Sequence, residues 1–133
     1  MDGALGNEVQ PASTAFSEAE KLARLRLIRS ENIGPITFHR LIETYGNART
    51  ALEALPELAR KGGRRKPIRI STLSEVEEEA AELQKLGAAM LFRGEPAYPP
   101  LLGHIEDAPP VLFVRGHPHL LGKKSVAIVG SRN

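Results

Sequence analysis

The chain has 133 residues, a formal net charge of +2 and no cysteine, so disulfides, thiol chemistry and cysteine-ligated zinc are excluded. No apolar run approaches the roughly 20 residues of a membrane-spanning helix, and the first residues lack the basic start and apolar stretch of a signal peptide. These features predict a cytoplasmic protein with no membrane partner. The length suits one domain, or a small domain with part of a second, and a change of character along the chain favours the latter.

The first predicted elements are a tail and a helix. Residues 1–15 are small, polar and without a period, which predicts a flexible tail. Ser17 followed by Glu20 matches a capping box, and the apolar residues after it have helical spacing. The sequence therefore predicts a helix that starts after Ser17 and ends near Ser30.

A second and a third helix are predicted downstream. Gly34 and Pro35 form a turn that leads into a helix, because proline is favoured at the first helical position. Gly46 ends that helix. A third helix is predicted over about residues 48–55, after which Pro56 opens a further short turn.

The first two predicted helices and their turn have the layout of a helix-hairpin-helix unit, in which backbone amides can bind a DNA phosphate. The usual turn carries Gly, an apolar residue and Gly. Here Asn32 stands at the first position, and asparagine tolerates a left-handed backbone. Helical hairpins are common packing units, so the sequence favours a packing role over a DNA contact.

A basic segment separates the third helix from the fourth. It contains six bases and no acid: Arg60, Lys61, Arg64, Arg65, Lys66 and Arg69. We regard Arg64, Arg65 and Lys66 as candidate auxiliary DNA contacts. A solvated loop beside an acidic helix explains the same pattern, and the sequence slightly favours that explanation.

A fourth helix completes the helical part. Ser74 and Glu77 match a second capping box, and Gly87 ends the helix. These elements predict a compact helical domain over residues 16–87.

The character then changes to short apolar strands, predicted at residues 88–92, 111–114 and 126–129. The last is apolar throughout, as is typical of a strand buried on both faces of a parallel sheet. Residues 88–133 therefore predict the beginning of an α/β domain, most of which would follow residue 133.

The strongest candidate site is the turn after the third strand, formed by Gly130, Ser131 and Arg132. Ligands of open α/β sheets bind beyond the carboxyl ends of the strands. There, glycine permits close approach of an anion, serine adds a hydroxyl donor, and arginine offers a forked cation that suits phosphate. The turn predicts a phosphate-binding site; a plain strand-to-helix turn with a solvated arginine is the alternative.

No catalytic, cofactor or metal site is predicted. The dinucleotide fingerprint requires Gly, any residue, Gly after the strand, whereas Gly130 is followed by Ser131 and Arg132. The Gly-Lys-Ser/Thr ending of a nucleoside triphosphatase loop is absent as well. His117 and His119 have no third ligand at a suitable spacing.

Many spaced positions match one further pattern. In the C-terminal half they are Tyr98-Pro99, Leu102, Ile105, Asp107, Pro109, Leu112, Arg115-Gly116 and the stretch from Val126 to Arg132. In the helical half they are Ile33-Gly34-Pro35, Leu41 and Tyr45-Gly46. Together they resemble the DNA-processing protein A (DprA/Smf) family from roughly Leu22 to Arg132. The chain departs from the family at His117, where an asparagine is frequent.

The resemblance implies an α/β protein with a SAM-like helical domain followed by a Rossmann-type domain. It implies a non-enzymatic bacterial protein of natural transformation that binds and protects incoming single-stranded DNA, forms a homodimer and helps load the RecA recombinase. The DNA phosphates would then lie on Gly130, Ser131 and Arg132. Such a site involves no base readout, so binding should be sequence-tolerant and salt-dependent.

Two other functions stay open. A nucleotide-binding enzyme of the phosphoribohydrolase type uses a similar sheet, and its catalytic residues would lie beyond residue 133. Alternatively, residues 16–87 form a duplex-DNA or protein-interaction module that uses the basic segment as its contact surface.

Overall fold

The computed structural model describes residues 15–63 and 65–115. In chain order these residues form α1 (Glu18–Arg29), α2 (Pro35–Tyr45), α3 (Ala48–Lys61), α4 (Leu73–Lys85), β1 (Ala88–Phe92), the one-turn helix α5 (Pro100–Gly103) and β2 (Val111–Arg115). The predicted helical unit followed by strands is confirmed. No helix in this part of the chain has the length and apolar character needed to cross a membrane.

Helix α1 begins and ends where the sequence predicts, but its capping box is only half formed. The Ser17 hydroxyl accepts a hydrogen bond from the Glu20 amide at 3.1 Å, and Ser30 is the C-terminal cap. The Glu20 carboxylate does not return to the cap; it accepts bonds from the Arg24 side chain and the Ala48 amide instead. The Glu20 carboxylate therefore caps the start of α3, through the Ala48 amide, and not the start of α1 as the local pattern predicts.

The hairpin between α1 and α2 is built as expected. Asn32 has the left-handed backbone (φ 64°) that glycine would supply in the usual turn. Pro35 occupies the start of α2, and Gly46 ends it with φ 87°, a conformation that side-chain-bearing residues rarely adopt.

Helix α3 is longer than predicted. Asn47 caps it by accepting a bond from the Thr50 amide at 2.8 Å, and the helix continues through Pro56 to Lys61. The predicted break at Pro56 is therefore wrong. The proline removes one helical hydrogen bond, and burial of Leu52 and Leu55 in the turn before it, each worth about 1.5–3 kcal/mol, offsets that loss.

Helix α4 starts two residues earlier than predicted. The cap is Thr72, whose hydroxyl accepts from the Glu75 amide at 3.1 Å while the Glu75 carboxylate accepts from the Thr72 amide at 2.8 Å. Thr72-x-x-Glu75 and Ser74-x-x-Glu77 both fit the capping pattern. The earlier pair forms because Ser71, just before it, is fixed by its hydroxyl bond to the Arg26 carbonyl of α1 at 2.8 Å.

Helix α1 lies between two apolar clusters. One cluster joins α1, α2 and α3: Ala23, Leu27, Phe38, Leu41, Ala48, Ala51, Leu52 and Leu55. The other joins α1 and α4 to the strands: Leu25, Val76, Phe92 and Val111. Leu25 and Leu27 are both fully buried, so α1 holds the helices and the strands in one continuous packing.

Strands β1 and β2 pair antiparallel, with Met90 opposite Phe113 and Phe92 opposite Val111. This pairing differs from the parallel arrangement expected for the α/β part. The connection over residues 93–110 contains only one short helix, whereas a parallel pair requires a full crossover. The strand predicted at residues 126–129 lies outside the described residues.

The proline-rich connection is folded against the sheet. Tyr98 is buried, and its hydroxyl donates to the Pro109 carbonyl at 2.7 Å. Arg93 donates from Nε to the Gly103 carbonyl at 3.1 Å and from a terminal nitrogen to the Ile105 carbonyl at 3.2 Å. Tyr98 therefore packs the proline-rich connection against the strands.

Candidate nucleic-acid interface

The candidate DNA-contact residues fall into two groups. Gly130, Ser131 and Arg132, and also Arg64, lie outside the described residues. Arg65 and Lys66 are described, and both are exposed on the loop between α3 and α4. The structure therefore describes the surroundings of the candidate auxiliary contacts Arg65 and Lys66, whereas the Gly-Ser-Arg turn lies outside the described residues.

Arg65 and Lys66 lie on the rim of a groove of about 280 Å³. The groove is lined by Pro56, Ala59, Arg60, Arg65, Lys66, Pro67 and Ile68. Its members are of two kinds: two prolines, an alanine and an isoleucine provide apolar surface, and three bases provide positive charge. We call it the α3 groove.

The α3 groove exists because the chain reverses direction after α3. The amide of Gly62 donates to the Leu58 carbonyl at 3.0 Å, and that of Gly63 donates to the Arg60 carbonyl at 3.1 Å. Gly63 has φ +91°, which favours glycine at this turn. The reversal brings residues 65–68 back against the exposed side of the last two turns of α3.

The bases of this region are not electrostatically equivalent. Arg60 pairs with Glu57 on the same helix. Arg69 pairs with Glu75 at 2.6 Å, and its amide donates to the Glu31 carboxylate at 2.9 Å. Within residues 15–63 and 65–115, Lys61 and Arg65 form no ion pair.

Arg69 belongs to the junction with α4 and not to the α3 groove. The pKa of the exposed Glu75 carboxyl is lowered from its ordinary value. The largest cause is the hydrogen bond from the Thr72 amide, and the second is the bond from the Arg69 side chain. The Arg69 guanidinium therefore has an ionised partner at neutral pH. The surface available to an anionic ligand is narrower than the run of bases in the sequence implies.

The α1–α2 hairpin is engaged in packing. The Glu31 amide, in the turn itself, donates to the Arg69 carbonyl at 2.9 Å. At the end of α1, the hydroxyls of Ser30 and Ser71 both donate to the Arg26 carbonyl, at 2.7 and 2.8 Å. These bonds fix the turn against residues 69–71 and support the packing role that the sequence favours.

Comparison with known protein families agrees with this organisation. A model described as a DprA-like N-terminal HHH domain matches residues 18–81, which include α1, α2, α3 and most of α4. A model described as DNA recombination-mediator protein A matches residues 89–133. The chain belongs to the DprA family. No curated protein matches the chain.

Membership of the DprA family confirms the resemblance drawn from the spaced motifs, and it supports a role as a DNA recombination mediator. The match over residues 89–133 extends through the Gly-Ser-Arg turn. In the described part of the chain, no group of three or more His, Asp or Glu side chains is arranged to hold a metal ion.

Sequence reasoning missed the apolar half of the α3 groove. Pro56 was expected to start a new turn, and Pro67 and Ile68 attracted no functional interpretation, yet all three line the groove. The available signal was the position of the two prolines, one on each side of the basic segment. Only the continuation of α3 past Pro56 brings them together.

Proposed function

We propose that this DprA-family protein binds and protects incoming single-stranded DNA during natural transformation and helps load the RecA recombinase onto it. The observation that carries the proposal is the family match over residues 89–133. The chemistry of the Gly-Ser-Arg turn supports it independently, because its glycine, hydroxyl and guanidinium suit phosphate and include no base-reading group.

In this proposal the DNA phosphates lie on Gly130, Ser131 and Arg132. Glycine allows the strand to approach the backbone, Ser131 donates through its hydroxyl, and Arg132 forms two parallel bonds to phosphate oxygens. Binding then depends on phosphate neutralisation, so affinity should fall as salt rises and should depend little on sequence.

Fluorescence anisotropy of a labelled oligo-dT tests the proposal. The wild-type protein and Arg132→Ala are titrated across a salt series, and Arg49→Ala, which removes an exposed arginine from α3, serves as the matched control. We expect salt-sensitive binding that weakens for Arg132→Ala and is unchanged for Arg49→Ala. Absence of single-strand binding by the wild-type protein would contradict the proposal.

The same titration addresses the enzymatic alternative. A phosphoribohydrolase-type protein would bind a mononucleotide, which would displace the oligonucleotide at micromolar concentration. We expect a mononucleotide to compete poorly, because a strand makes several phosphate contacts and a mononucleotide makes one.

We further propose a cytoplasmic protein that acts as a homodimer, with residues 1–15 as a tail, 16–87 as the helical domain and 88–133 as the start of the Rossmann-type domain. The RecA step is tested by strand exchange on DNA coated with single-strand-binding protein. Stimulation of RecA by the wild-type protein but not by Arg132→Ala would support a mediator that works through its bound DNA.

A further inference from the structure

We propose that the α3 groove holds one nucleotide unit of the bound single strand, with its phosphate on Arg65 and Lys66 and its base against Pro56 and Pro67. This inference rests on the proposed single-strand binding and adds a second contact point on the helical part of the protein. It also assigns a use to exposed apolar surface that the fold does not cover.

The first argument is charge. Arg60 and Lys61 lie in the last turn of α3, where bases complement the negative end of the helix dipole, so their presence needs no ligand. Arg65 lies beyond the helix, is exposed, and has no ion-pair partner within the described residues. A phosphate is a suitable partner, because a guanidinium binds phosphate oxygens through a planar pair of donors.

The second argument is the apolar lining beside this charge. Pro56 is exposed although it lies inside a helix, and Pro67, also exposed, lines the same groove. Proline presents a flat, rigid apolar face, and arginine planes stack on bases. Apolar rings beside a phosphate-binding cation match a nucleotide, because its base offers an apolar plane and its phosphate carries negative charge.

The third argument is size and shape. About 280 Å³ is just below the range of roughly 300–1,000 Å³ typical of small-molecule sites, so the groove suits one nucleotide and is too small for a dinucleotide cofactor. It is open at the surface, so a nucleotide can enter it while the neighbouring nucleotides stay outside. Since Pro56, Ala59, Pro67 and Ile68, the apolar part of its lining, carry no side-chain donor or acceptor, a base that packs there is held without readout of its edge, and any base is expected to fit.

The test uses the full chain and a labelled oligo-dT, with two variants of different type. Arg65→Ala removes the phosphate partner, and Ala59→Phe fills the groove without changing charge. Arg40→Ala, an exposed arginine on α2 away from the groove, is the matched charge control. Thermal unfolding by circular dichroism checks that each variant is folded.

We expect Arg65→Ala to weaken binding about fivefold and to lower the slope of log K against log salt by about 1, as loss of one phosphate contact requires. Ala59→Phe should weaken binding with the slope unchanged, because it blocks the base and leaves the charge. Arg40→Ala should do neither. Wild-type affinity in both groove variants, with Arg132→Ala impaired, would overturn the groove site and leave the proposed function intact.

A second readout is independent of affinity. An oligo-dT carrying 4-thiothymidine is irradiated with the protein, and the cross-linked peptide is identified by mass spectrometry. Cross-links to residues 56–68 support the site; cross-links confined to other segments overturn it. Weakened binding of duplex DNA or of polyglutamate in Arg65→Ala, with single-strand binding unchanged, would also overturn it in favour of a different occupant.

Discussion

The Oε2 atom of Glu20 accepts hydrogen bonds from the backbone amide of Ala48 at 2.9 Å and from Nε of Arg24 at 2.8 Å. Ala48 is the first residue of α3, so its amide has no partner within its own helix. One carboxylate of α1 therefore stabilises the start of α3 and neutralises an arginine that is almost completely buried. Through this carboxylate, a polar contact joins α1 to α3 at the edge of their apolar packing.

Glu20→Ala should lower the free energy of unfolding by about 3 kcal/mol, because it leaves a buried guanidinium and a buried amide without their partner. Glu20→Gln should cost less, since its amide oxygen can still accept from Ala48. Glu18→Ala is the control, as that carboxylate is 84% exposed in its pair with Lys21, and surface pairs contribute about 0–1 kcal/mol. Urea unfolding measures all three; equal losses for Glu18→Ala and Glu20→Ala would contradict the prediction.

The start of α4 offers a comparison of two neighbouring hydroxyls. Thr72→Ala should destabilise the protein by about 1 kcal/mol, because it removes the cap from the Glu75 amide. Ser74→Ala should change stability by less than about 0.5 kcal/mol, since Ser74 is exposed within the first turn. Thermal unfolding of both variants decides the point. A larger loss for Ser74→Ala would place the cap where the sequence pattern alone assigns it.

These helix starts show how much of the fold is predictable from the sequence. Asn32 and Gly46 adopt left-handed backbones that few other residues tolerate, and Pro35 is favoured at the start of a helix, so the α1–α2 hairpin follows from local chemistry. Two capping patterns two residues apart are locally equivalent, and the distant contact between Ser71 and α1 selects one of them.

The features that escape prediction depend on tertiary packing. Pro56 ends a helix by local rules, yet α3 continues past it to Lys61, and burial of Leu52 and Leu55 fixes the turn that precedes the proline. The antiparallel pairing of β1 and β2 depends on the path of residues 93–110, which has no periodic pattern. The α3 groove depends on both the continued helix and the reversal at Gly63. The Gly-Ser-Arg turn remains a prediction of the sequence.

Tyr98 anchors the proline-rich connection through its hydroxyl. Tyr98→Phe removes the bond to the Pro109 carbonyl and should lower the free energy of unfolding by about 0.5–1.5 kcal/mol. Tyr45→Phe is the matched control, because Tyr45 lies partly buried at the edge of the helical cluster and its hydroxyl has no protein partner within the described residues. Similar losses in both variants would show that the hydroxyl bond of Tyr98 adds nothing specific.

His39 links α2 to the proline-rich segment over residues 93–110. Its Nε2 lies 3.0 Å from the Ala108 carbonyl oxygen, and since a carbonyl can only accept, Nε2 carries the proton. Partial burial lowers the pKa of the imidazole below its ordinary value of 6.5, and the positive charges of Arg93 and Arg24 act in the same direction; the Ala108 bond and Glu43 oppose them. The folded state therefore favours the neutral ring.

This shift makes stability depend on pH in one direction. Below the ordinary pKa of 6.5 the unfolded chain binds a proton that the folded protein does not, so the free energy of unfolding should fall as pH decreases from 6.5 toward the lower folded-state pKa. Above 6.5 the contribution of His39 is constant. Thermal unfolding between about pH 5.5 and 7.5 measures it, with His39→Gln as the control, because its amide nitrogen can still donate to Ala108 but does not titrate. An equal decrease in both proteins would assign the pH dependence to other groups.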